Sequence, residues 1–148
     1  MTITEHLTNS RPTDADIGAF ESFINGSLPD DYKFFLKTEN GGRPKPKQFR
    51  FTTKVGKIEE SAAHYFFALH EGRVGNLRKS FERYHTRVVS GYLPIGTDPF
   101  GNLIIMSTSA QGKGRIYFWD HENEADLPSV ANMSLIANSF SEFAAGLF

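Results

Sequence analysis

Catalysis needs reactive side chains that can meet, and this sequence offers few sets that could. Its five histidines are His6, His64, His70, His85 and His121, and no His-Glu-x-x-His pair occurs. Asp120, His121 and Glu122 are consecutive and of metal-ligating type. At a strand end, however, neighbouring side chains point to opposite faces, so these three converge only if the chain turns there, and a metal also needs a supporting shell. The reading is a solvated strand end without metal. Asp98 and Asp120 are the candidate general acid and base. That chemistry needs one carboxyl kept protonated in a pocket. The surrounding Thr97-Asp98-Pro99-Phe100-Gly101-Asn102 gives Asp98 a plainer task, capping its own turn. There is no Cys, so any nucleophile is Ser, Thr or Lys, and no Gly-x-Ser-x-Gly elbow is present. Gly112-Lys113-Gly114 has too few glycines, at the wrong spacing, to cradle a phosphate. No cofactor is expected.

Two charged clusters remain. Arg43, Lys45, Lys47, Arg50, Lys54 and Lys57 occur without an intervening acid, and Phe49 and Phe51 interleave with them. Cations and aromatics in that order could form a stacking platform for single-stranded nucleic acid. The preferred reading is a basic strand face with its two phenylalanines buried, because an overall charge of -1 suits phosphate binding poorly. Nucleic acid is therefore an unfavoured partner. The second cluster is acidic, with four carboxylates between Asp120 and Asp126. The charge is strongly divided: residues 41–90 hold 11 Lys or Arg against 4 Asp or Glu, and the rest of the chain holds 5 against 13. Such a division can steer a charged partner even when the net charge is near zero.

The elements that must position these residues centre on Tyr92–Glu122. Tyr92–Gly96, the continuous apolar run Leu103–Met106 and Arg115–Trp119 read as three strands of an antiparallel meander. An unbroken apolar run bounded by turns suits a strand covered on both faces. Ala110–Gly114 makes the second turn. Before the meander, Thr13 is an N-cap for a helix over Asp14–Ile24, with Ile17, Phe20 and Ile24 at helical spacing. Leu28-Pro29 opens a second helix that buries Tyr32, Phe35 and Leu36 and stops at Gly41. Gln48–Thr53 alternates as a half-exposed strand, and Val55–Ile58 continues it as a hairpin. Ala63–Leu69 fits a strand or a short helix. Asn76–Arg87 reads as a helix. After the meander come the acidic loop, an edge strand at Met133–Ile136, and a helix announced by the capping box Ser139-Phe140-Ser141-Glu142. Residues 1–12 show no periodicity and are expected to be a loose arm, with one domain over 13–148.

The 148 residues suffice for one domain with a substantial core. No run approaches the roughly 18 apolar residues of a membrane span, and the N-terminus shows no signal-peptide core. Absence of cysteine is compatible with a reducing compartment, and a cytoplasmic protein is expected. The fold class is α+β, an antiparallel sheet around 92–119 with terminal helices packed on it.

Four segments carry a family resemblance: LPDDYKFFLKTENGG (Leu28–Gly42), LPIGTDPFGNLIIM (Leu93–Met106), IYFWDHE (Ile116–Glu122) and IANSFSEFAAGL (Ile136–Leu147). Together and in this order they resemble the SUKH superfamily, small α+β domains named partly for fungal cell-wall synthesis regulators. The resemblance implies a non-enzymatic binding domain. Many bacterial members look like immunity proteins that bind and neutralise polymorphic toxins, often nucleases, and the compact bacterial type fits this chain better than the flanked fungal regulators. A regulatory protein-interaction module of the same family is the alternative. The partner implied is thus a protein, a cognate toxin domain. Because nuclease active sites must hold phosphate, they are often basic, and an inhibitor gains on-rate by presenting carboxylates. The docking surface is accordingly expected on the acidic edge of Asp98, Asp120, Glu122, Glu124 and Asp126, with Phe100 and Trp119 as aromatic anchors.

Overall fold

The computed structural model describes residues 1–109 and 111–148. In chain order its elements are β1 (Thr2–Glu5), α1 (Asp14–Ile24), α2 (Asp30–Thr38), β2 (Arg43–Lys45), β3 (Gln48–Thr52), β4 (Ile58–Ala62), β5 (Tyr65–Phe66), α3 (Leu77–Tyr84), β6 (Tyr92–Thr97), β7 (Leu103–Ser107), β8 (Ile116–Trp119), β9 (Met133–Ala137) and α4 (Phe140–Ala145). The architecture is α+β. Strands β5 to β9 form one antiparallel sheet in sequential order, with β7 in the middle. Two further antiparallel pairs, β1 with β2 and β3 with β4, flank it.

The apolar run of β7 explains itself once its two faces are seen. Ile104 and Met106 enter the main core with Phe20, Tyr32, Leu36, Phe66 and Phe143. Leu103 and Ile105, pointing the other way, join a second cluster of Val88, Trp119 and Met133. All five residues of β7 are buried. Each such aliphatic side chain contributes about 1.5–3 kcal/mol of transfer free energy, so β7 anchors both cores at once. The hairpin β3–β4 closes the main core from the side: Phe51 stacks on Phe118 at 4.4 Å and Phe49 meets Phe143 edge-on at 5.6 Å.

Local sequence explains the helices. Thr13 and Asp16 make a reciprocal capping box at the start of α1, and Asn25 ends it in the left-handed region at φ 51°. After α2, Asn40 (φ 53°) is fully buried; its amide donates to the Ser10 and Leu69 carbonyls and its side-chain oxygen accepts from Leu69 N–H. Gly41 follows at φ 81°, where a Cβ would lie 2.7 Å from the Phe67 carbonyl oxygen, so only glycine fits. At α4, Ser139 caps the Glu142 N–H, while the Glu142 carboxylate accepts from Asn138 N–H.

Several expectations change. Residues 1–12 are not simply a loose arm: Thr2–Glu5 pairs with Arg43–Lys45. The signal was absent because this two-stranded pair joins segments some forty residues apart, with little apolar alternation in either. The open choice at Ala63–Leu69 resolves to a two-residue strand, Tyr65–Phe66. The α3 helix ends at Tyr84, short of Arg87. The second meander turn includes Ala110, which lies outside the described residues.

Candidate functional site

The β6–β7 turn is built around Asp98, which is 3% exposed. One carboxylate oxygen accepts from Phe100 N–H and Asn102 N–H, each at 2.8 Å. The other accepts from the Asn102 side-chain amide at 2.8 Å and from the Ser61 hydroxyl at 3.0 Å. Asn102 extends the network: its side-chain oxygen accepts from His121 N–H at 3.1 Å and shares a 2.6 Å hydrogen bond with His121 Nδ1. Three separate segments, from β4, the β6–β7 turn and the chain after β8, are thereby tied at one point. Charge-assisted bonds of this kind are the stronger ones, so the turn is held rigidly. At its tip Phe100 is 74% exposed.

Beyond β8 the chain does turn. Asp120 caps a single 3-10 turn over His121–Asn123, its carboxylate accepting from Glu122 N–H at 2.9 Å and from the Asn123 amide at 2.6 Å. Both carboxylates of the candidate acid and base pair are thus occupied as acceptors, Asp98 by its own turn and Ser61 of β4, Asp120 by its own turn. Glu124 forms a two-pronged ion pair with Arg87 at 2.8 and 2.7 Å. The hydrogen bonds from Arg87 hold the Glu124 carboxyl below its ordinary value, and the same bonds raise the Arg87 guanidinium. Glu122 and Asp126 are exposed, as is Leu127 at 78%.

This geometry divides the expected docking residues. Trp119 is 1% exposed, packed in the second core with Tyr84 edge-on at 6.2 Å, so it cannot act as a surface anchor. Asp98 is buried and saturated, so it supports the turn instead of contacting a partner. Asp120 caps, and the charge of Glu124 is neutralised by Arg87. Phe100, Glu122 and Asp126 remain as a free surface.

Sequence reasoning missed Ser61 and Arg87, which reach this region from 37 residues away in each case. Asn102 and His121 had a signal, the Asp-x-x-Gly-Asn turn and the Trp-Asp-His-Glu strand end, but not their junction. The stacking-platform reading fails: Phe49 and Phe51 are 2% and 5% exposed. Of the basic residues beside them, Arg43, Arg50 and Lys57 pair with Glu5, Glu60 and Glu59, and Lys54 donates to the Val130 carbonyl.

No described helix is long and apolar enough to cross a membrane. A protein of Bacillus subtilis (strain 168), the SPbeta prophage-derived uncharacterized protein YokK, is 30% identical over 146 residues, covering 88% of this chain and 72% of its own length. A sequence model of one family matches residues 11–146, a span that includes the Asp98 turn, the capped turn after β8 and all four helices. The chain belongs to the SMI1 / KNR4 family (SUKH-1).

Proposed function

We propose that this chain is a non-enzymatic immunity-type protein that binds a cognate bacterial toxin domain, a nuclease being the favoured kind, and holds it inactive in the cytoplasm. The observation that carries the reading is Phe100, 74% exposed on a turn fixed by four hydrogen bonds to Asp98. An aromatic ring presented on a rigid support loses little freedom on docking, and aromatic residues, Phe among them, are enriched at interfaces. Glu122 lies in the capped turn tied to it through Asn102 and His121, and Asp126 follows that turn. They supply negative charge for a basic partner surface. Family membership and the prophage origin of the relative YokK fit a gene that travels with mobile DNA.

The test is to search the neighbouring genes for a toxin-like domain and to co-express the one found with this chain. Cells carrying both should grow, and cells carrying the toxin domain alone should not. A regulatory interaction module of the same family would bind a partner without that rescue.

A further inference from the structure

A second surface lies between α3 and the β5–β6 edge. It is a cleft of about 160 Å³ lined by Arg73, Lys79 and Arg83, with Ser80, Tyr65 and Tyr84 beside them, and none of its lining residues is acidic. Neighbouring cations on this segment are matched: Arg78 lies 4.0 Å from Glu82 and 3.8 Å over the Phe23 ring, and Arg87 is held by Glu124. Arg73, Lys79 and Arg83 form no ion pair among the described residues. Lys79 and Arg83 are four residues apart on α3, the spacing at which like charges face each other and weaken a helix. The Thr97 hydroxyl, buried at the same cleft, finds no hydrogen-bond partner among the described residues, and an unpaired buried hydroxyl is unfavourable. The helix N-terminus does not make the site, because Asn76 already accepts from Lys79 N–H.

The repulsion between Lys79 and Arg83 destabilises the free protein and would be relieved by one compact anion with several acceptor oxygens. We propose that this cleft binds a phosphate group, either free phosphate or the phosphomonoester of a larger molecule. Two guanidinium groups can each donate two parallel hydrogen bonds to phosphate oxygens, with the ammonium as a point charge. A carboxylate, with two oxygens, satisfies fewer of these donors. The Tyr65 and Tyr84 rings would bound the organic part of an ester. The cleft's lining includes none of Phe100, Glu122 and Asp126, and failure of phosphate binding leaves the docking proposal standing.

The experiment is thermal unfolding and calorimetric titration of the full chain with sodium phosphate, against sodium chloride at matched ionic strength. A saturable rise in melting temperature with phosphate alone is expected. The double variant Lys79→Gln/Arg83→Gln should melt higher than the parent without ligand, since the repulsion is gone, and should bind phosphate at least about tenfold more weakly. Arg73→Gln carries the binding test if the helix variant fails to fold. Phenyl phosphate separates the two sources: tighter binding than phosphate identifies an ester as ligand, and equal binding identifies free phosphate. No saturable response of the parent to either anion, or an undiminished response in the variants, overturns the proposal.

Discussion

At the scale of single residues, Asp98 does the most structural work per atom. Replacing it with Ala leaves the Phe100 and Asn102 N–H groups, the Asn102 amide and the Ser61 hydroxyl without their acceptor. A loss of about 2–3 kcal/mol in unfolding free energy by urea titration is expected, since bonds to a charged acceptor are lost and buried donors are stranded. The Arg87–Glu124 pair makes a pH prediction. The folded-state value of the Glu124 carboxyl is lowered from 4.5. Its contribution is therefore present above that ordinary value and is lost as pH falls through the lowered one. In Glu124→Gln the fall in stability on acidification should be shallower than in the parent, as read from urea midpoints across that range. An unchanged slope would remove the pair as a pH-sensitive contributor. The capping role of Asp98 was legible, because Asp followed by Pro, Gly and Asn is turn chemistry that acts within a few residues. Its bond from Ser61 was not, because nothing local marks a contact between segments so far apart.

At the scale of elements, β7 was the most legible part of the chain. Five consecutive apolar or small residues between two turns have one comfortable solution, a strand with a core on each side, and the alternation of Ile104 and Met106 against Leu103 and Ile105 provides it. Ile105→Asp should abolish cooperative unfolding altogether, because it leaves an unpaired charge in the second core; a folded, cooperative variant would contradict the assignment. The β1–β2 pair was the least legible, since a short edge pairing carries almost no periodic signal. It rests on Gly42 at φ 117°, where a Cβ would come within 2.5 Å of the Glu5 carbonyl oxygen and the Ile3 side chain. Gly42→Ala should detach Thr2–Glu5 and raise amide exchange there while β7 stays protected. The aromatic content misleads in one respect: Trp119, at the end of β8, is expected as an anchor although a Trp in a central strand is usually buried, and the cover provided by Val88 and Tyr84 makes it core.

At the scale of the whole molecule, the division of charge seen in the sequence is partly cancelled in the fold. Arg43 meets Glu5 and Arg87 meets Glu124, each joining the basic middle of the chain to an acidic flank. Among the described residues, the charges left without an ion pair include Glu122 and Asp126 after β8 and the cations of the α3 cleft. This narrows the docking test. The variant should change Glu122 and Asp126 but spare Glu124, whose loss would disturb Arg87. The most direct measurement is calorimetric affinity for the toxin domain that the co-expression test identifies, comparing the parent with Phe100→Ala and with Glu122→Lys/Asp126→Lys. Phe100→Ala should weaken binding by about tenfold or more, as hot-spot truncations do. The charge variant should slow association, and both should keep their stability within about 0.5 kcal/mol of the parent. Affinity unchanged in both folded variants would contradict docking through this turn.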